Sequence, residues 1–230
     1  MKIITWNVGL FSWYKYSKYF NFKLNNQKVK NEYFHIGYKN FVISFLKEQN
    51  ADICVLQEFF TDQDRDSFVN SIKDMYPYHV SISAWYHHHH CILVLSKKDI
   101  KSKMIKNTQF NCIESYDKKI IPIHLHSFSV KKRFLQIKEL IQVTNIEDID
   151  LVIGDTNFWS FGNYFLFKKD RDSFNLLEKY FHIDDILFTS KVFLNFDRVF
   201  INKKNNKPKT SVCRISHPGM DHYPVITNFN

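Results

Sequence analysis

Six short apolar stretches of this chain each meet a residue able to do chemistry. "IITW" runs into Asn7, "ICVL" into Gln57 and Glu58, "IIPI" into His124, and "LVIG" into Asp155, Thr156 and Asn157. "LNF" meets Asp197, and Asp221 and His222 stand just before "YPVI". Apolar runs of this length, bounded by polar or turn-forming residues, read as β-strands buried in a core. Strand ends are also where a rigid scaffold hands side chains to functional loops. A single Asp or Asn in such a place is ordinary turn and cap chemistry; the repetition asks for another account.

Amphipathic segments alternate with the strands. Helical spacing joins Phe41, Val42, Phe45 and Leu46, and helices are expected over 61–74 (capped by Thr61), 133–143 and 172–180. Further strands are expected near 78–83, 91–95, 100–110, 196–201, 211–215 and 225–228. Strands covered by a few helices predict a layered α/β sandwich. With 230 residues and only five Gly and five Pro, there is material for a large core and none for a flexible linker, so a single domain over residues 1–230 is expected. The run His87–His90 reads as the partly exposed start of a strand, where imidazoles alternate between faces and build no single metal site.

The four cysteines lie far apart with no C-x-x-C pair, which favours free thiols in a reducing compartment over disulfides or zinc. No apolar run reaches membrane-spanning length, and no signal-peptide pattern precedes the first strand. No stretch reads as an exposed apolar segment suited to a membrane surface. The expectation is an intracellular monomer, cytoplasmic or nuclear, without stable membrane association. The formal charge of +9 favours polyanionic partners. Only five of the 32 basic residues are Arg, however, and Arg is the residue that bidentate phosphate and guanine contacts prefer.

Taken in order, TWN, LQE, HL with a following Arg-x-x-Gln helix, GDTN, FDRVF and DHYPV resemble the motif series of the endonuclease/exonuclease/phosphatase superfamily. The resemblance runs from residue 3 to residue 226, and GDTN and DHYPV are its most specific elements. Met220 stands where that family usually has Ser. The resemblance implies a four-layered α/β/β/α sandwich of two mixed, mostly antiparallel sheets with the active site at one edge. It also implies divalent-metal phosphoester hydrolysis, with Mg²⁺ as cofactor and Mn²⁺ able to substitute. Glu58 is then the expected principal metal ligand, with Asn7 beside it and Asp221 at or near the metal. Asp155 is the expected general base. Asn157 orients the nucleophile or a phosphoryl oxygen, aimed with Asp155 into one pocket by an extended backbone. His222 contacts the phosphate with Asp197 fixing its tautomer, and His124 contacts it from the other side.

These residue types suit the chemistry in their own right. Hydrolysis of a phosphodiester needs a water in line with the leaving group and counter-charge for the phosphoryl oxygens. A hard cation held by one or two carboxylates supplies both charge and orientation. Thr156 and Arg198 resemble the 5′-tyrosyl-DNA phosphodiesterase branch, which makes nucleic acid, and DNA first, the expected substrate. Lys131 and Arg133 (with Lys132 between them) and Trp159 are the expected substrate contacts. Phe11, Trp13, Tyr14, Tyr16, Phe158 and Phe161 are further candidates for stacking on bases. Two alternatives stand beside this reading: an enzyme of the same fold acting on inositol phosphates or sphingolipids, and a basic nucleic-acid-binding module without catalysis.

Overall fold

The computed structural model describes residues 1–9, 28–60, 63–83, 90–143, 145–161, 164–183, 188–191, 194–215 and 220–229. Phe11, Trp13, Tyr14, Tyr16, Thr61 and His87 to His89 lie outside the described residues. The strands are β1 (Lys2–Asn7), β2 (Ile53–Phe60), β3 (Tyr78–Ser83), β4 (His90–Ser96), β5 (Lys101–Met104), β6 (Asn111–Ser115), β7 (Lys118–His124), β8 (Leu151–Asp155), β9 (Ser160–Phe161), β10 (Tyr164–Phe165), β11 (Phe181–Ile183), β12 (Asp197–Asn202), β13 (Lys209–Val212) and β14 (Val225–Asn228). The helices are α1 (Lys28–Gln49), α2 (Gln63–Ile72), α3 (Val130–Val143) and α4 (Lys168–Glu178). One six-stranded sheet has the order β13-β14-β1-β2-β4-β3, the other β11-β12-β8-β7-β6-β5, and β9 and β10 form a separate hairpin.

Period-two alternation explains the four layers. In β1 and β2, Ile3, Ile53 and Val55 face the second sheet and pack on Ile120, Leu151, Ile153, Val199 and Ile201. Their neighbours Ile4, Cys54 and Leu56 face outward onto Val42, Phe45 and Leu46 of α1 and Phe68 and Ile72 of α2. In the second sheet Ile121, Ile123, Val152 and Phe200 turn outward onto Ile137 and Leu140 of α3 and Phe174 and Leu177 of α4. The central strands are therefore apolar on both faces, which is why they read as uninterrupted runs. The chain is an α/β/β/α sandwich.

Strand direction gathers the polar ends. β1 and β2 are parallel, as are β7 and β8, so their C-terminal ends point the same way within each sheet. β12 and β14 run antiparallel to β8 and β1, and their N-terminal ends return to the same edge. Two backbone features refine that edge. β2 carries a bulge between Leu56 and Phe59, with Glu58 at φ +54°, and such bulges re-aim a side chain.

Gly154, in β8, has φ +142°, and a Cβ placed on it would lie 2.0 Å from the Ile123 carbonyl oxygen of β7. Only glycine permits that backbone and that approach. Gly154→Ala is expected to cost about 3 kcal/mol or more, because strain and a backbone clash add. Urea titration followed by circular dichroism measures this. A loss below about 1 kcal/mol would mean the strands tolerate the shift.

Candidate active site

Sheet register places the expected residues in two facing rows. In the second sheet His124, Asp155 and Asp197 stand side by side on β7, β8 and β12. In the first sheet Asn7 pairs with Gln57, Glu58 follows on the bulge, and Asp221 and His222 precede β14. Asn7 Nδ2 donates to Asp155 Oδ2 at 2.8 Å, so the site itself ties the two sheets together.

Three oxygens converge beside Gly9. A Cβ built there would lie 3.0 Å from Glu58 Oε2, 3.3 Å from Asn7 Oδ1 and 3.5 Å from Asp221 Oδ1. Gly9 N also donates to Asn7 Oδ1 at 3.0 Å, fixing which end of that amide faces the hollow. Two carboxylates and an amide oxygen around a space that a side chain would fill form a hard donor set, suited to Mg²⁺ or Mn²⁺. Glu58 Oε1 lies 3.5 Å from His124 Nε2, which is 3.8 Å from Asp155 Oδ2. Glu58, His124 and Asp155 thus form a second group with metal-ligand spacing that overlaps the first. Sequence reasoning passed over Gly9; its signal was a glycine two residues beyond a strand-ending Asn. Gly9→Ala is expected to weaken Mg²⁺ binding by about tenfold or more, measured by isothermal titration calorimetry. Unchanged affinity would place the cation elsewhere.

Asp155 is 1% exposed. Its Oδ2 accepts from Asn7, and its Oδ1 accepts from the backbone N–H of Asn157 at 2.7 Å. Asn157 is not extended as the alternation of Asp155 and Asn157 suggested. It sits at φ +51°, a left-handed conformation that Asn tolerates, and this bends its N–H back onto Asp155. Its side-chain Nδ2 donates to the Leu125 carbonyl at 2.9 Å, which binds the end of β8 to the loop after β7.

His222 Nδ1 and Asp197 Oδ2 are 2.7 Å apart, both buried. Burial pushes the Asp197 carboxyl up to about 6 against the opposing pull of His222. For His222, burial acts downward, but the Asp197, Asp155 and Asp221 carboxylates outweigh it and hold the imidazole well above its ordinary value. Both groups bind their proton more tightly folded than unfolded, so this pair's contribution to stability falls as pH rises through those values. Asp197→Asn removes the strongest upward influence and is expected to lower the His222 titration midpoint. Histidine-selective NMR titration in EDTA reads it, and an unmoved midpoint would remove Asp197 as the cause.

The expected substrate contacts divide. Lys131 is exposed on the first turn of α3. Trp159 is 40% exposed, its ring 6.2 Å from Phe196, which is 5.5 Å from His222. Arg133 is 1% exposed, and its Nε and Nη2 donate to Asp170 at 2.9 and 2.8 Å, while Nη1 donates to the His126 and Ser127 carbonyls. Its guanidinium is spent inside the fold, which corrects the expectation that it meets substrate. The signal was the helical spacing of Arg133, Ile137 and Leu140. Thr156 Oγ1 donates to the Phe196 carbonyl, and buried Arg198 donates to Ser160 Oγ. Both therefore serve as internal struts.

The apolar rim also departs from expectation. Among the described residues, Trp159, Phe161, Tyr164, Leu166 and Phe167 are all exposed, as are Phe128 and Leu135. No helix among the described residues is long and apolar enough to cross a membrane.

Comparison with known proteins agrees with this architecture. No curated protein matches the chain in sequence. Among solved structures, an AP endonuclease from Archaeoglobus fulgidus superposes with a TM-score of 0.68 at 13% identity, covering 100% of this chain and 99% of the other. Sphingomyelinase C from Streptomyces griseocarneus gives 0.67 at 16% identity, over 100% and 99% of the two chains. Beta toxin from Staphylococcus aureus (an F277A, P278A mutant with bound magnesium ions) gives 0.63 at 17%, over 98% of each. At these identities the likeness is one of fold. The family model describing the endonuclease/exonuclease/phosphatase family matches residues 4–213, a span that contains Asn7, Glu58, His124, Asp155, Asn157 and Asp197, and the chain belongs to that family of metal-dependent phosphoesterases.

Proposed function

We propose that this protein is a Mg²⁺-dependent phosphodiesterase. The observation that carries the proposal is the convergence of Glu58, Asn7 and Asp221 oxygens beside Gly9, next to the Asp155 carboxylate that Asn7 also holds. Glu58, Asn7 and Asp221 would hold the cation, which would supply positive charge at the phosphoryl oxygens and lower the pKa of water. Asp155, oriented by Asn7 and the Asn157 N–H, takes the proton of the attacking water. His222 has Nδ1 committed to Asp197, which leaves Nε2 to donate to a phosphoryl oxygen. His124 faces the same space from β7, and the anchored Asn157 amide offers its remaining hydrogen to the phosphate.

The charge of +9 and the motif series favour a nucleic acid, DNA first. Thr156 and Arg198, which resemble the tyrosyl-DNA phosphodiesterase branch, are engaged internally, so they support that refinement as marks of the branch and not as substrate contacts. A second reading, a lipid phosphodiester, is favoured by the exposed apolar rim. Purified protein with Mg²⁺, Mn²⁺ or EDTA is offered 5′-tyrosyl oligonucleotide, abasic duplex, plain single strand, inositol phosphates and sphingomyelin vesicles. Metal-dependent turnover of at least one is expected. No turnover on any would overturn the proposal, and turnover of lipid or inositol phosphate alone would remove the nucleic-acid reading.

A further inference from the structure

Exposed apolar side chains are unevenly spread over this molecule. Seven of the nine large ones among the described residues belong to segments 128–135 and 159–167. Phe128 is 90% exposed and Tyr164 71%. The two segments are held together: Arg133 bonds the His126 and Ser127 carbonyls and also Asp170, whose Oδ2 accepts the Trp159 N–H at 3.2 Å. Lys169 Nζ lies 5.2 Å from the centre of the Phe134 ring, a further link between α4 and α3. Both segments border the catalytic edge, since Phe128 follows His124 by four residues and Trp159 is one ring removed from Phe196 beside His222.

Lys131, Lys132, Lys168, Lys169 and Arg171 are exposed among these apolar residues. The one acid within 128–135 and 159–171 is Asp170, buried and neutralised by Arg133. Soluble proteins seldom gather exposed apolar side chains in this way without a partner. Trp, Phe and Leu flanked by lysine is the composition of elements that lie in a bilayer interface, where rings and aliphatic tips enter the headgroup boundary and cations face anionic lipid. A nucleic-acid platform would favour arginine and stacked rings. Here two of the five arginines, Arg133 and Arg198, are buried, and Leu135 and Leu166 offer no π-face.

We infer that segments 128–135 and 159–167 form a docking surface for an anionic lipid bilayer, holding the catalytic edge against the membrane. The inference rests on the phosphodiesterase reading only for what the docked site does there; the docking itself is independent of catalysis. Full-length protein in EDTA is sedimented with phosphatidylcholine vesicles, with and without about one third phosphatidylserine, a content at which each cation near the surface adds measurably. Binding is expected to be at least about tenfold tighter to the anionic vesicles. The double variant Tyr164→Ser/Leu166→Ser is expected to weaken it by about tenfold or more, while keeping hydrolysis of a small soluble diester such as bis(p-nitrophenyl) phosphate. Lys132→Glu/Lys168→Glu is expected to abolish the preference for anionic vesicles.

Failure to sediment with either vesicle would overturn the inference. So would binding that the variants leave untouched. Tight binding of a thymidine oligonucleotide, lost in the same variants without any vesicle binding, would reassign the surface to single-stranded nucleic acid. A concentration-dependent dimer abolished by them would reassign it to a second copy of the chain. Vesicle binding without hydrolysis of the soluble diester would support the docking surface and count against the phosphodiesterase reading alone.

Discussion

Asp155→Asn is expected to lower kcat by about three orders of magnitude, the contribution typical of a positioned general base. The carboxylate is held by two N–H donors, from Asn7 on one oxygen and from the Asn157 backbone on the other. An amide in its place keeps one acceptor oxygen and presents an NH₂ where the other stood. One of the two donors then faces a donor, at a cost of about 1–2 kcal/mol in stability. That loss leaves the fold in place, as far-ultraviolet circular dichroism would show. Calorimetric Mg²⁺ titration of the variant separates the roles. With Asp155 as base and Glu58, Asn7 and Asp221 as ligands, metal affinity stays near wild type while turnover collapses. Activity within tenfold of wild type would remove Asp155 as base, and a parallel collapse of Mg²⁺ affinity would make it a ligand instead.

The candidate site was legible in the sequence for a reason rooted in the sheets. Strands buried on both faces leave no room for polar residues until they reach the edge, so Asn7, Glu58, His124 and Asp155 stand out against apolar runs. What was lost is what a side-chain alphabet does not carry. Gly9 contributes by having no side chain, and the left-handed conformations of Glu58 and Asn157 leave no mark in the spacing. Arg133 follows two exposed lysines and so read as part of a surface run, although helix periodicity places it on the buried face with Ile137 and Leu140.

The periphery was harder. Of the strand expected over 100–110 only β5 forms; a turn with Asn107 at φ +61° follows it, and β6, which was not expected, begins at Asn111. β5 is exposed throughout, with Lys101 and Lys103 protecting the sheet edge, so hydrophobicity could not delimit it. α1 begins at Lys28, well before its clear apolar spacing, and the three-residue edge strand β11 gives too short a pattern to read. The stacking candidates after Asn157 divide for a reason the sequence does not carry: Phe158 is buried and packs with Phe165 in the core, which corrects its candidacy, while Phe161 is exposed together with Tyr164.

Asp170→Ala is expected to be the most destabilising polar substitution in the molecule. Asp170 is 0% exposed and receives two bonds from Arg133 and one from the Trp159 N–H. Removing it leaves a guanidinium buried without its counter-charge, which costs about 3–5 kcal/mol, far more than loss of a surface ion pair. For a chain of this length each kcal/mol moves Tm by about 2–4 °C, so a fall of roughly 10 °C is expected. Adding Arg133→Met removes the orphaned charge while keeping much of the volume. The double variant should therefore be more stable than Asp170→Ala alone, although the His126 and Ser127 carbonyls and the Trp159 N–H lose their partner. A single-variant loss below about 1 kcal/mol would show that water or repacking satisfies Arg133. A double variant no more stable than the single would show that the cost lies in the Trp159 contact and not in the charge. Because the pair joins the loop after β7 to the loop after β8, kcat on any substrate should fall in both variants, while Mg²⁺ affinity is retained if Glu58, Asn7 and Asp221 are the ligands.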